Sequence, residues 1–398
     1  MASGTGSWDY VSHRRLSDFI EVSRGHQGGG VDKLMKEYFD HDELNRFEFE
    51  KVVGKGAQGI AWRLIYRPRN KPGEPQLTAY RIVLKVDRLR AEGTVGPGGS
   101  GSIELENEIS FLTAFQWAAH IVKIVVPHSD PLGQTFNDVW PHGIYRGEWL
   151  YLEWLENGSV KQFIERAHAA DRQLPNRMLW RFFMCLIRVV IAMAWPPSRG
   201  DTEGRQILET IGPRPGRKIE HRDMHDENVM FGPLIIDGSG EHDWTPIIKA
   251  IDFGFATEYA VGSEPDFRGP PENIFAIGAL MASLATLNRQ AASGIWPRDP
   301  NAAMVKLPHR SEPVKVAGTF LIPDEGPNKT LDPLLRNLIL ACTATDPGDR
   351  PSIAYLQGVV SDGINVRDER WYRHRNMNDR DESYQNIQRT IQDFIFNA

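Results

Sequence analysis

The hydrophobic pattern of the chain changes near residue 157, from short strand-like runs to long helical ones. From Phe47 apolar and polar residues come close to alternating, and further short apolar runs follow between Gly, Pro and polar segments. Such runs are typical of β-strands. They predict strands over 47–53, 60–66, 80–86, 121–126 and 150–154. A single helix is predicted among them, over 105–115, because its apolar residues recur at helical spacing.

Beyond residue 157 the apolar runs are long enough for buried helices, which we predict over 178–195, 274–287 and 331–344. From Asp381 onward one helical face is apolar, so this stretch is expected to dock on the body or on a partner. That face carries Tyr384, Ile387, Ile391, Phe394 and Ile395.

Gly, Pro and polar residues mark the connecting segments. We expect an inserted loop over 91–102, a surface insertion over 198–217 and a short helix over 31–39. The predicted organisation is an N-terminal extension, a β-rich lobe, a larger helical lobe and a helical tail, with bounds 1–46, 47–156, 157–362 and 363–398.

Composition excludes several classes of protein. The chain has 398 residues, of which 41% are hydrophobic and 25% charged, as in an ordinary globular protein. Its net charge of -6 gives no reason to expect nucleic acid or an anionic membrane surface as a partner. The first residues lack the apolar core of a signal peptide, and no apolar run is long enough to span a bilayer. A cytoplasmic or nuclear protein is therefore expected. Its oligomeric state is open.

The two cysteines, Cys185 and Cys342, both lie in apolar surroundings that predict helix. Two isolated thiols indicate a reducing compartment instead of a disulfide framework. We expect no metal role for either, because no second Cys or His stands at ligand spacing along the sequence.

The chemistry is concentrated between residues 221 and 254. His221, Arg222 and Asp223 come five residues or more before Asn228, and Asp252-Phe253-Gly254 follows an apolar run. This order suits a Mg-ATP phosphoryl-transfer site, in which one carboxylate takes a hydroxyl proton while the Asn and second Asp hold metal ions. Asp and Asn are also common in turns, so each motif alone could be structural. The segment between the two motifs is predicted to form a hairpin.

Upstream features complete this constellation. Gly54, Gly56 and Gly59 lead from one predicted strand into another, so they lie in a hairpin turn and not before a helix, as in dinucleotide-binding folds. Such a loop can close over phosphates. Lys85 ends an apolar strand, and Glu108 or Glu104 on the next helix could be its partner.

In this order the motifs resemble those of the eukaryotic protein kinase family, and the run from Asp346 to Pro351 resembles a late element of that family. The resemblance covers about residues 47–360. It implies an α+β, two-lobed protein kinase-like fold, with a small β-rich N-lobe containing one helix and a larger, mainly helical C-lobe. It also implies ATP and Mg²⁺ as cofactors and a protein Ser or Thr hydroxyl as acceptor.

The resemblance implies nucleotide-binding roles for the upstream residues. The glycine loop would cover the phosphates. Lys85 would hold the α and β phosphates, with Glu108 fixing it, and Glu153 and Leu155 would offer backbone groups to adenine.

It likewise implies roles in the transfer itself. Asp223 would accept the substrate proton, and Asn228 and Asp252 would hold Mg²⁺. Arg222 would be free to pair with a phosphate on the segment after Gly254. Candidate acceptors there are Thr257, Tyr259 and Ser263, with an ordinary polar loop as the alternative.

Three positions depart from the family pattern. His225, included among the catalytic residues, stands where Ser/Thr kinases usually have Lys, and is common in small-molecule kinases. Glu272 follows two prolines directly before a helix, so Arg350 lacks its usual glutamate partner unless Glu272 serves. Asn273 stands where the family has a structural Asp. A small-molecule kinase on the related fold and a pseudokinase acting as a binding module are therefore the alternatives.

Overall fold

The computed structural model describes most of the chain beyond residue 44. The described residues are Lys36, Phe39, 45–55, 59–68, 78–87, 100–127, 149–201, 204–235, 241–260, 268–289, 299–307, 310–321 and 326–397. Lys36 and Phe39 are helical. The remaining predictions for the N-terminal extension, and those for Gly56 and Ser263, lie outside these residues.

The chain divides into two compact units. The first comprises Met1–Thr113, Val122–Trp154 and Phe253–Phe255, and the second comprises Ala114–Ile121, Leu155–Asp252 and Ala256–Ala398. Antiparallel strands dominate the described part of the first unit and helices that of the second, so the fold is of the mixed α+β class.

The first unit is built on a four-stranded antiparallel sheet in chain order. Its strands are β1 (Phe47–Lys55), β2 (Gly59–Tyr66), β3 (Tyr80–Asp87) and β4 (Trp149–Glu153). Trp62, Leu64, Ile82 and Leu84 are fully buried on one face, as their alternation along β2 and β3 requires. Four of the five predicted strands are thereby confirmed.

The strand predicted over 121–126 is wrong. This segment forms only isolated bridges, Ile121 with Ala250 and Ile124 with Leu152. Because its two ends pair with different partners, no continuous ladder develops, although the apolar run resembles a strand.

One helix, α1 (Ser100–Phe115), belongs mainly to the first unit. It begins inside the predicted loop over 91–102, so that loop prediction is wrong at its end. Serine and glycine are favoured near helix N-termini and carry no apolar signal there, which explains why the periodicity missed the first turn.

The second unit contains seven α-helices among its described residues. They are α2 (Val160–Ala169), α3 (Asn176–Ala194), α4 (Pro270–Thr286), α5 (Pro333–Cys342), α6 (Ile353–Val366), α7 (Glu369–His374) and α8 (Tyr384–Ile391). Every residue of α3 is buried, and α3 packs against α4 and α6. It is therefore the central helix of the unit, as its strongly apolar composition predicts. None of the described helices is long and apolar enough to cross a bilayer.

Short antiparallel pairs of strands connect these helices. β5 (Lys218–Glu220) pairs with β8 (Thr257–Tyr259), β6 (Val229–Phe231) with β7 (Ile248–Ala250), and β9 (Ala303–Val305) with β10 (Val314–Val316). The β6–β7 pair confirms the hairpin expected between Asn228 and Asp252.

The segment 198–217 is not wholly a surface insertion. Ile207 O accepts a hydrogen bond from Ala119 N, and Glu209 is fully buried. The charge-rich composition suggested solvent, but the Glu209 carboxylate binds two donors of His120 inside the unit. Buried carboxylates are tolerated when they are paired in this way.

The C-terminal tail docks on the second unit. Ile387, Ile391 and Ile395 are buried, whereas Tyr384 is exposed. Just before α8, Glu382 accepts hydrogen bonds from the backbone N–H groups of Asn176 and Arg177, at the start of α3. A carboxylate at a helix N-terminus is favoured by the free N–H groups there, so the tail is held by charge as well as by apolar packing.

Candidate active site

The loop from β5 to β6 carries the first group of predicted site residues, and Asn273 of α4 binds its N-terminal end by hydrogen bonds. Asn273 Oδ1 accepts from His221 N at 3.0 Å, and Asn273 Nδ2 donates to Ile219 O at 2.8 Å. The His221 ring is fully buried and its Nε2 lies 3.1 Å from Ile251 O. Burial lowers the pKa of His221, so the ring is a neutral structural element that ties the loop to the end of β7.

The β6–β7 hairpin brings Asn228 and Asp252 together. Val229 pairs with Ala250, and Ile251 N donates to Asn228 O at 3.0 Å, so the residue just before β6 lies beside the residue just after β7. Asn228 Nδ2 donates to Asp223 Oδ2 and to Asp223 O, both at 2.9 Å. Residues 223, 228 and 252 therefore meet within the second unit.

His225 lies against the Asp223 carboxylate. His225 Nδ1 accepts from Glu227 N at 3.2 Å. His225 Nε2 lies 3.1 Å from Asn228 Nδ2, and it makes a hydrogen bond with the Asp223 carboxylate, 3.5 Å from Oδ1. This hydrogen bond raises the pKa of His225. Burial acts to raise the pKa of Asp223, but the bond and charge of His225 outweigh it and the net pKa is lowered. Asp223 is therefore held ionised, with one side of its carboxylate occupied.

Two residues of this site have left-handed backbone conformations. The φ angle is 66° at Arg222 and 62° at Asp252. Asp tolerates this region, but for Arg it is uncommon and persists only where the surroundings fix it. Arg222 Nη1 donates to Thr257 Oγ1 at 3.4 Å, which places Thr257, of the three predicted phosphate acceptors, against the Arg222 guanidinium. Tyr259 ends β8.

The first unit holds the predicted lysine and glutamate as an ion pair. Lys85 Nζ, on β3, lies 2.6 Å from Glu108 Oε2, on α1, and the Glu108 side chain is 1% exposed. A charged carboxylate so deeply buried requires a cation, and Lys85 supplies it.

Sequence reasoning missed Asn107, the neighbour of Glu108. Its Nδ2 donates to Gly254 O at 2.8 Å, and that bond fixes the backbone just after Asp252. Nothing in the local pattern marks an Asn in the middle of a helix for this contact, since it depends on a residue almost 150 positions away.

The other predicted nucleotide residues lie at strand ends. Gly54 is paired with Ala61 near the end of β1, and Gly59 is the first residue of β2. The predicted glycine loop thus connects two antiparallel strands. Glu153 ends β4 and binds Lys123 twice: Glu153 N donates to Lys123 O at 3.0 Å, and Glu153 Oε1 accepts from Lys123 N at 2.8 Å. Leu155 is buried in the second unit.

Glu272 is the partner of Arg350. Arg350 Nη1 lies 3.0 Å from Glu272 Oε1 and also donates to Pro271 O at 2.9 Å. The short connection into α4 therefore leaves this ion pair intact. Glu272 serves as the glutamate partner of Arg350, which the sequence had left open.

Comparison with known proteins gives one partial similarity to a kinase. No protein-family model matches the chain. The serine/threonine-protein kinase pim-2 of Danio rerio is 28% identical over 162 residues, which cover 38% of this chain and 44% of that protein. The chain thus spans less than half of the length of the curated relative it matches. This similarity hints at the protein kinase family, and the mixed α+β fold with its N-terminal antiparallel sheet is compatible with it.

Proposed function

We propose that the chain is an ATP-dependent phosphotransferase with a protein kinase-like fold, which moves the γ-phosphate of Mg-ATP to a protein Ser or Thr hydroxyl. One observation carries the proposal: the β6–β7 hairpin and the Asn228 amide bring a lowered-pKa carboxylate, an amide oxygen and a second carboxylate into one small region. Phosphoryl transfer needs this combination of a proton acceptor and oxygen ligands for Mg²⁺.

The orientation of Asn228 fits a magnesium site. Its Nδ2 is held by Asp223, so Oδ1 is the side-chain atom left to bind a cation, and Asp252 adds carboxylate oxygens. Hard divalent cations prefer such oxygen ligands. When bound, Mg²⁺ would neutralise charge on the β and γ phosphates. Asp223 would orient the substrate hydroxyl and take its proton, at most about a 10²–10⁴-fold contribution to rate.

In this proposal the first unit forms a nucleotide-binding N-lobe and the second a C-lobe, with the tail over 363–398 as an addition. Lys85 would bind the α and β phosphates while Glu108 holds its ammonium group, and Gly54, Gly56 and Gly59 would let backbone N–H groups approach the phosphates. Glu153 and Leu155 would present backbone groups to adenine.

The small-molecule kinase remains the second candidate, and His225 is the observation that favours it. The His225 imidazole lies beside the proposed proton acceptor, Asp223. Its side chain is shorter and less basic than that of the lysine usual at this position in Ser/Thr kinases. The Arg350–Glu272 ion pair, which completes the late element of the protein kinase pattern, favours a protein substrate. Transfer of label from ATP to proteins and to hydroxylated metabolites, run side by side, separates the two candidates.

The decisive experiment replaces Asp223. Asp223→Asn should abolish transfer of the γ-phosphate while leaving ATP binding largely intact, because it removes the proton acceptor and keeps the shape. Glu227→Gln is the control, since Glu227 lies in the same loop with an exposed side chain and no proposed role in transfer. Equal activity in Asp223→Asn and parent would refute the role of Asp223. A parent chain whose melting temperature does not respond to Mg-ATP would instead indicate a pseudokinase.

A further inference from the structure

A second cluster of reactive side chains lies in the second unit, and it shares no residue with the proposed transfer site. His120, Cys185 and His242 are each fully buried, and one ligand atom from each lies within 4.8 Å of the others. Cys185 Sγ is 3.7 Å from His242 Nδ1, and the two imidazole ring centroids are 5.0 Å apart. Two imidazoles and a thiol are ligands that transition metals prefer.

The three residues come from distant parts of the sequence, one on a helix and two in turn segments. His120 follows α1, Cys185 lies in the middle of the buried helix α3, and His242 precedes β7. Their side chains converge because these segments pack together in the core of the second unit. A ligand on a buried helix keeps its geometry better than a ligand on a loop, so Cys185 is the most firmly placed of the three.

Glu209 fixes the tautomer of His120. Its Oε2 accepts from His120 Nδ1 at 2.7 Å, and its Oε1 accepts from His120 N at 2.7 Å. Because Nδ1 carries the proton, Nε2 presents a lone pair. Within the described residues that buried Nε2 atom has no hydrogen-bond partner. A buried lone pair left in this way is unfavourable unless something binds it.

We propose that His120 Nε2, Cys185 Sγ and a ring nitrogen of His242 bind one Zn²⁺ ion, with Glu209 as the residue that positions His120. A carboxylate behind a ligating histidine is a recurrent feature of zinc sites. Zinc bond lengths place neighbouring tetrahedral ligand atoms about 3.3–3.7 Å apart, so the cluster must contract by about 1 Å at its widest separation. Binding converts the Cys185 thiol to a thiolate and releases its proton to solvent.

The charges around the cluster suit a divalent ion. One thiolate and the Glu209 carboxylate balance the charge of Zn²⁺, whereas Arg188 binds Glu241 and the backbone carbonyl of Glu209. The ion would join the segment after α1, α3 and the segment before β7, and Glu209 would connect the 198–217 segment to it through His120, so its role is structural. Three protein ligands leave one tetrahedral position for a further ligand.

The test measures metal content in the full chain. Because the cluster is fully buried, zinc should be supplied during expression and not added to folded protein. We expect about one zinc per chain by mass spectrometry in the parent. Cys185→Ser should lose the metal, and Cys342→Ser, which alters the other fully buried cysteine, should keep it. Asp223→Asn should also keep it, so failure of the proposed function would leave this result unchanged.

Three further measurements do not depend on the folding of Cys185→Ser. The parent expressed with Co²⁺ should show thiolate-to-cobalt charge-transfer absorption, and Glu209→Gln should weaken metal binding about 10–100-fold. Removal of zinc should lower the melting temperature by about 5 °C. A parent without stoichiometric metal, or equal zinc in Cys185→Ser and parent, would overturn the site. Copper found in place of zinc would overturn the choice of ion.

Discussion

Asn273 is expected to hold the loop between β5 and β6 in place, and its replacement by Ala gives the sharpest structural test. The side chain is 2% exposed and makes two hydrogen bonds to backbone groups, His221 N–H and Ile219 C=O. Both of those residues are fully buried, so water cannot easily replace the lost partner. Asn273→Ala therefore leaves one donor and one acceptor unsatisfied in the interior.

The expected loss follows from these two groups. A buried backbone group without a partner costs about 1–3 kcal/mol, so the two together should lower the free energy of unfolding by about 2–6 kcal/mol. That is a large part of the total of about 5–15 kcal/mol typical of a folded domain. Because His221 leads directly to Arg222 and Asp223, phosphotransfer should fall as well.

The assay is urea unfolding of parent and variants, with phosphotransfer measured alongside. Ser283→Ala is the matched control, since Ser283 is buried on the same helix, α4, and should cost less than about 1 kcal/mol. Ordinary surface substitutions change the free energy of unfolding by about 0.5 kcal/mol or less. If the free energies of unfolding of Asn273→Ala and Ser283→Ala differ by no more than that, the loop is fixed by other contacts.

Three further predictions test other ion pairs. Burial acts to raise the pKa of Glu50, but its contacts with Arg81 at 3.0 Å and Arg63 at 2.6 Å outweigh burial and lower it. A carboxyl whose pKa is lowered in the folded state stabilises the fold above its ordinary pKa of 4.5, and that stabilisation is lost as the pH falls through the lowered value. Glu50→Gln should therefore reduce the melting temperature at neutral pH and not in stronger acid. Equal changes in melting temperature at both pH values would contradict this. Arg350→Leu should cost about 3–5 kcal/mol in urea unfolding, because it leaves Glu272 and buried carbonyls without their donor, and an unchanged midpoint would speak against the ion pair. Lys85→Met should abolish phosphotransfer and lower the melting temperature by stranding the buried Glu108 carboxylate, whereas adding Glu108→Leu should restore stability without activity; recovery of activity in the double variant would exclude a role for Lys85.

Much of the fold was predictable from local patterns. The four strands of the first sheet and the helices α3, α4 and α5 follow from apolar periodicity, because burial on one face or all round imposes it. The strand predicted over 121–126 fails for the reason that its apolar residues are shared between two partners. The prediction that 198–217 is a surface insertion fails for Glu209. Composition indicates only average exposure, whereas Glu209 is buried and its carboxylate accepts hydrogen bonds from two donors of His120.

For the candidate site, sequence order alone brought residues 221–228 and 252–254 into one hypothesis. The order of short motifs is local information, and the apolar run between them predicts the hairpin that the structure contains. Three contacts of the site are long-range, so no spacing rule could assign them. They are the ion pair of Arg350 with Glu272, the two hydrogen bonds of Asn273 and the hydrogen bond of Asn107 to Gly254.

The cysteines show most clearly what each level decides. The sequence indicated that Cys185 lies in a buried helix, because the run around it is strongly apolar despite Arg181 and Arg188. It also indicated no metal ligand, since no Cys or His stands near it along the chain. Only the packing of the second unit brings His120, His242 and Glu209 to that helix, from 65, 57 and 24 positions away by residue number. Periodicity reports which face of an element is buried, whereas the neighbours it meets there are set by how the elements pack.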